Sequence, residues 1–199
     1  MIKLNARELR SYQSSAVSHQ TIKRNEIYII LDNVLDAYNI GSIFRLADAV
    51  AAKKIYLCGQ TETPPNHRIK KASINTTEWV TWSYRESAVE AIKELRQQFA
   101  NRLPTTDYRK AEDGRRKTES IQVIAIEQST KSVQYNTFDY KLPICLVVGH
   151  ETHGVSKEVL KMADGIVEIP MFGVNKSLNV MVSLGIVLYK VVSKIKQLD

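Results

Sequence analysis

Between Gly149 and Gly154 the chain reads Gly-His-Glu-Thr-His-Gly, two histidines and a glutamate spaced closely enough to raise the question of a metal site. The zinc-protease arrangement sets two histidines four apart on one helical face, with the glutamate as general base, whereas His150 and His153 are three apart. The stretch before them, Pro-Ile-Cys-Leu-Val-Val-Gly, carries Ile144, Leu146, Val147 and Val148 and has the continuous apolar character of a buried strand rather than a helix. No metal is therefore expected. A glycine-bounded polar loop at the C-terminal end of a buried parallel strand is instead where open α/β sheets bind ligands.

Two further stretches have the same character. Asn-Ile-Gly-Ser-Ile-Phe-Arg, Asn39 to Arg45, puts Gly41 at an expected strand-to-helix turn, where helix N-terminal amides are available to a ligand. Glu-Ile-Pro-Met-Phe-Gly-Val-Asn-Lys-Ser-Leu-Asn-Val runs from a strand end into a helix start. Each has a purely structural alternative: Arg45 as a surface ion-pair partner, Gly149 and Gly154 as a tight turn, and Ser177 or Asn175 as a helix cap.

The elements that must position these loops alternate. Glu-Ile-Tyr-Ile-Ile-Leu-Asp-Asn-Val reads as a buried strand ending at Asp32 or Asn33, and Ile43, Leu46, Ala47 and Val50 give the next segment helical spacing. Lys-Lys-Ile-Tyr-Leu-Cys-Gly and Glu-Trp-Val-Thr-Trp-Ser-Tyr read as further strands. Ala88, Ala91, Ile92, Leu95 and Phe99 form one stripe of a helix that begins near Ser87 or Glu86. Three more apolar strands follow, at Ile-Gln-Val-Ile-Ala-Ile-Glu, Ile-Cys-Leu-Val-Val-Gly and Gly-Ile-Val-Glu-Ile-Pro, the last two separated by a helix with Ser156 as N-cap. A final helix is expected from about Ser177 to Lys196. The pattern implies an α/β fold, a mostly parallel sheet with helices on both faces. All 199 residues read as one domain, with a short N-terminal extension (about 1–25) and a polar insertion (about 101–120).

Composition narrows the class. Hydrophobic content of 44% and charged content of 25% suit a soluble globular protein, and the most apolar window, Ser-Leu-Asn-Val-Met-Val-Ser-Leu-Gly-Ile-Val-Leu-Tyr-Lys-Val-Val, is too short and polar to span a bilayer. The first residues lack the apolar region of a secretory signal, and Cys58 and Cys145 sit in apolar runs as buried thiols, so a reducing cytoplasmic location is expected. Lys plus Arg exceed Asp plus Glu by 28 to 21, a formal charge of +7 that suits a polyanionic partner where the charge clusters. It clusters in two segments with loop-like composition, Asn66 to Lys71 and Asp107 to Lys117, and Arg68, Lys70 and Lys71 are candidate phosphate contacts.

In this order the motifs Asn-x-Gly-x-x-x-Arg, Gly-x-Glu-x-x-Gly and Ile-Pro-Met-x-Gly with Ser-Leu-Asn-Val are more specific than any one alone. The chain resembles the TrmH (SpoU) family of RNA 2'-O-ribose methyltransferases, within the SPOUT superfamily, from about Glu26 to Lys196. It departs where the family often has a glycine after the first helix and this chain has Ala-Val-Ala-Ala-Lys, a change expected to alter packing only, and in the polar insertion around Asp107 to Glu119. The resemblance implies a C-terminal deep trefoil knot, S-adenosyl-L-methionine as cofactor, tRNA or rRNA as substrate and a homodimer formed through the knotted region. Sequence regularities alone argue against knots, which are rare.

By the same resemblance Ile126, Glu127, Gly149, Ile169, Met171, Ser177 and Leu178 would contact the cofactor. Arg45 would act on the ribose hydroxyl, with Asn39, Glu151, Ser177 and Asn179 shaping the catalytic pocket and Arg45, Arg68, Lys70 and Lys71 meeting RNA. The alternative is a non-catalytic RNA-binding protein of the same fold. A doubly wound nucleotide-binding enzyme would need a fuller glycine fingerprint than Asn39 to Arg45 provides.

Overall fold

The structure is a computed structural model that describes residues 23–102 and 120–195. Most of the expected N-terminal extension and polar insertion, with Arg115, Arg116 and Lys117, and the expected helix end at Lys196 lie outside the described residues. In chain order the elements are β1 (Asn25–Asp32), α1 (Ala37–Ala49), β2 (Ala52–Cys58), α2 (His67–Ser73), a 3-10 turn (Thr76–Glu78), β3 (Trp82–Arg85), α3 (Ala88–Ala100), β4 (Gln122–Ile126), β5 (Val133–Gln134), β6 (Ile144–Gly149), α4 (Lys157–Met162), β7 (Gly165–Glu168) and α5 (Val180–Ile195). The strands form one sheet in the order β3-β2-β1-β6-β4-β7-β5, and every pairing is parallel.

Strand pleating divides the core in two. Ile27, Ile29 and Leu31 of β1 pack toward α1 and α5 with Ile40, Ile43, Phe44, Leu184 and Leu188. Tyr28 and Ile30 point the other way, with Ala91, Ile92, Leu95 and Phe99 of α3 and Val159 of α4. Both faces of β1 and β6 are therefore covered, which is why their sequences are apolar without alternation. Cys58 and Cys145 are buried and free, and burial pushes the Cys58 thiol up to about 12, leaving it inert.

Helix starts depart from the sequence reading in instructive ways. α1 begins at Ala37, because Asp36 accepts from the Tyr38 amide at 2.8 Å. Gly41 therefore lies inside the helix, not at the strand-to-helix turn. A Cβ there would stand 2.6 Å from both the Ala72 Cβ and the Ile69 carbonyl oxygen, so the glycine is a contact point for α2. The segment Asn66 to Lys71, expected as loop, is largely that helix: Asn66 caps it by accepting from the amides of Arg68 and Ile69 at 2.8 and 3.1 Å. α5 starts at Val180 rather than Ser177, capped by Asn179, whose Oδ1 accepts from Met181 at 2.9 Å; neither Ser177 nor Asn175 is the cap. Ser156 precedes α4 without a side-chain cap, its amide donating instead to the buried Asp32 carboxylate at 2.9 Å.

The turn between α1 and β2 also corrects an expectation. Within Ala-Val-Ala-Ala-Lys, where the expected departure was to alter packing only, Ala51 holds φ at 50°, in the left-handed region that a Cβ disfavours. The departure costs backbone strain as well as altering packing. Ala51→Gly should stabilise the protein by about 0.5–1 kcal/mol, the relieved strain exceeding the added unfolded-state entropy. Ala49→Gly, two residues earlier in helical backbone, should destabilise by about the same amount. Urea unfolding midpoints that move in one direction for both variants would contradict this account.

Candidate active site

The carboxyl ends of β1, β4, β6 and β7 share one edge of the sheet, with Asp32 in register with Gly149 and Ile126 with Val167. A cavity of about 370 Å³ opens there. Ile126, Glu127 and Gln128 border it from β4, Val148 to Glu151 and Gly154 from β6 and its loop, and Val167 to Ile169 and Met171 from β7. Ser177 to Val180 and Ser183 close it from the start of α5. Each of Ile126, Glu127, Gly149, Ile169, Met171, Ser177 and Leu178, expected at a cofactor, lies on its wall, as do Glu151 and Asn179.

The β6 loop is a closed pentapeptide. The His150 amide donates to the Gly154 carbonyl at 3.0 Å and the Gly154 amide returns the bond at 2.8 Å. This closure needs Gly149 without a side chain, since a Cβ would fall 2.2 Å from the Gly154 carbonyl carbon. Gly154 takes φ at 69°, and a Cβ on it would sit 2.0 Å from the Glu127 carboxylate. Glu127 uses that close approach to accept from the Val155 amide at 2.8 Å, pinning the loop to the end of β4. His150 turns its Nδ1 inward to accept from the Thr152 amide at 2.9 Å, a turn-forming role.

Glu151 reaches out of this loop to the first motif. Its Oε2 accepts from the Leu35 amide and its Oε1 from the Asp36 amide, both at 3.1 Å. Oε1 also accepts from the Asn39 side-chain amide at 3.1 Å. Asn39, buried on α1, accepts in turn from the Asn179 side-chain amide at 2.9 Å, and Asn179 caps α5. One polar relay thus links the starts of α1 and α5 through the β6 loop. Glu151 also places negative charge at the positive end of α1.

Arg45, Arg68, Lys70 and Lys71 stand apart from the cavity wall. Arg45 is exposed in the third turn of α1 and, among the described residues, its guanidinium has neither an ion pair nor a hydrogen bond. Arg68, Lys70 and Lys71 project from α2, which rests on α1 at Gly41. Sequence reasoning missed Gln128, Glu168, Val180 and Ser183 on the wall. Ser183 lies one helical turn beyond Asn179 and could have been found by that spacing. Gln128, by contrast, binds through an amide donating to the Lys176 carbonyl at 2.7 Å, a contact without a local signature.

Burial alone would raise the Glu151 carboxyl, but the amides of Leu35 and Asp36 and the Asn39 side chain donate to its charged form and hold it below the usual glutamate range. A depressed carboxylate contributes stability in full above its unfolded value, near 4.5, and loses it as pH falls through the lower folded value. Glu151→Gln should therefore lower the urea midpoint at pH 7, and the gap to the unsubstituted protein should close below pH about 4. A gap that widens in acid would reverse the assignment.

Comparison with known proteins places this geometry. Residues 26–189 match the SpoU rRNA Methylase family. The chain is 32% identical over 173 residues to the tRNA (guanosine(18)-2'-O)-methyltransferase of Aquifex aeolicus, covering 84% of this chain and 69% of that protein. The crystal structure of the A. aeolicus TrmH/SpoU tRNA modifying enzyme aligns with a TM-score of 0.70 at 27% identity, over 88% of this chain and 78% of that one. The AdoMet-bound rRNA methyltransferase from Sinorhizobium meliloti aligns with the same TM-score, 0.70, and identity, 27%, over 94% of this chain and 60% of that one. The chain spans about two thirds of the length of the curated relatives that head the comparison. With the second and third motifs on the cavity wall, the first tied to them through Asn39, and the match running through all three, the chain belongs to the SpoU rRNA methylase family.

Proposed function

We propose that this protein transfers a methyl group from S-adenosyl-L-methionine to a ribose 2'-hydroxyl of tRNA or rRNA. The observation that carries the reading is the cavity at the carboxyl edge of the sheet, walled by the second and third motifs and braced by the Glu151–Asn39–Asn179 relay to the first. Its size falls within the range of small-molecule sites. Its wall suits a nucleoside carrying an amino acid: Ile126, Val148, Val167, Ile169 and Leu178 offer apolar surface, while Ser177, Asn179, Gln128 and loop amides offer hydrogen bonds. The cofactor supplies an electrophilic methyl group on a positively charged sulfur.

The remaining work falls to side chains of this chain. The reaction is an in-line displacement, so the hydroxyl must be aligned with the methyl group and must lose its proton. Arg45 is assigned to orient the 2'-hydroxyl or the adjacent phosphate and to stabilise developing negative charge. A guanidinium with a pKa of about 12 or more is a poor base, so a phosphate oxygen or water takes the proton. Asn39, Glu151, Ser177 and Asn179 shape the pocket, with Glu151 on the wall and Asn39 acting from behind it.

The reading includes a homodimer formed through a C-terminal trefoil knot, with sites at or near the subunit interface, in a cytoplasmic enzyme of one domain. Support for the pairing comes from apolar surface left open beside the cavity: Phe172 is 93% exposed and Val174 wholly so, with Val182 and Tyr189 exposed along α5. Support for the knot comes from the position of β6 between β1 and β4, and from α5 packing back across β4, β6 and α1. Incubation with labelled S-adenosylmethionine and total RNA from a strain lacking the gene, followed by nucleoside mapping, tests the activity and identifies the modified ribose. Arg45→Ala should leave cofactor affinity nearly unchanged while transfer falls by about a hundredfold. Unchanged turnover would remove Arg45 from the mechanism.

RNA is read as lying across α2 and the exposed side of α1, with Arg68, Lys70 and Lys71 on phosphates. Neutralising these three residues should weaken RNA binding and flatten its dependence on log salt by roughly one unit per lost contact, without moving cofactor affinity. An unaltered salt slope would place the RNA elsewhere.

A further inference from the structure

The cavity wall carries three carboxylates, Glu127, Glu151 and Glu168, and neither lysine nor arginine among the described residues. Every hydrogen bond described for them comes from a neutral donor. Glu127 accepts from the Gln128 and Val155 amides at 2.8 Å each. Glu168 accepts from the Ser132 hydroxyl at 2.7 Å. Glu151 accepts from the Leu35, Asp36 and Asn39 donors already described. Among the described residues none of the three forms an ion pair. Neutral donors do not cancel a carboxylate's charge, so among the described residues the wall presents net negative charge to an occupant.

Methyl transfer changes the charge of that occupant. The sulfur–methyl bond breaks with its electron pair staying on sulfur, the methyl carbon bonds to the ribose oxygen, and the hydroxyl proton leaves to a phosphate or water. A sulfonium cation becomes a neutral thioether of nearly the same shape. We propose that Glu127 and Glu168 determine specificity by charge, making this cavity hold the cationic cofactor more tightly than its neutral product, so that transfer itself weakens product binding. The proposal rests on the methyltransferase reading above.

The test is calorimetric titration of the full chain with S-adenosylmethionine, S-adenosylhomocysteine and sinefungin, the last carrying a protonated amine in place of the methylsulfonium and unable to donate a methyl group. Both cations should bind about tenfold more tightly than S-adenosylhomocysteine, and rising salt should shrink the ratio. Glu168→Gln keeps an acceptor for Ser132, and Glu127→Gln keeps one for Val155; each should cut the ratio by about threefold or more while S-adenosylhomocysteine binds no more weakly. Thermal unfolding confirms that each variant is folded, and one folded variant suffices. Product bound as tightly as the two cations, or a ratio unmoved by salt and by the folded variant, overturns the proposal. Failure of all three ligands to bind would instead overturn the cofactor reading.

Discussion

The site depends on a carboxylate that serves a helix other than its own. Glu151 belongs to the loop after β6, yet its hydrogen bonds go to the start of α1, 112 residues away along the chain at Asn39, and Asn39 passes the connection to Asn179, a further long reach of 140 residues. Asn39 is buried, so losing either neighbour would leave a polar group without compensation in a place water reaches poorly. The three segments are held together because separating them exposes an unsatisfied amide or carboxylate. This also explains how loops at the edge of a sheet can form a defined wall: their positions are set by directional bonds between helix starts, not by apolar contact alone.

The glycines around that carboxylate have separate duties. Gly149 lets the pentapeptide loop close on itself, and Gly154 admits the Glu127 carboxylate to the loop backbone. Gly41, by contrast, works between helices, bringing α2 and its basic residues against α1. Glycine at three motif positions thus meets three different steric demands. Only the Gly154 position also demands a left-handed backbone.

Sequence legibility followed burial. β1, β4 and β6 are covered on both faces, so their runs were continuous and unmistakable, and α3 announced itself through its stripe and the Ser87 cap. α2 did not, because in seven residues it buries one large apolar side chain, Ile69, too little to create a period. β5, two exposed residues at the sheet edge, left no pattern either. The sequence offered Ser177 or Asn175 as the cap of α5 and passed over Asn179, since Asn and Ser both cap well and nothing local separates the three positions; the link to Asn39 selects Asn179. Ile126, Glu127, Gly149, Glu151, Ile169, Met171, Ser177, Leu178 and Asn179 on the wall were legible through motif resemblance. Their joining through Glu151 was not, being a contact between segments far apart in sequence.

The order of strands has a consequence for synthesis of the chain on the ribosome. β1 pairs with β2 on one side and β6 on the other, and β6 begins at Ile144, long after β1 ends at Asp32. At ordinary elongation rates of about 5–20 residues per second, the second edge of β1 waits on the order of ten seconds for its partner. During that interval Ile27 to Leu31, a run wholly buried in the finished protein, presents unpaired backbone along one side. Such an edge is a template for any other extended chain. The nascent polypeptide is therefore most vulnerable to aggregation in the segment that later forms the middle of its sheet, and a chaperone that shields β1 until β6 emerges would act where this fold is weakest.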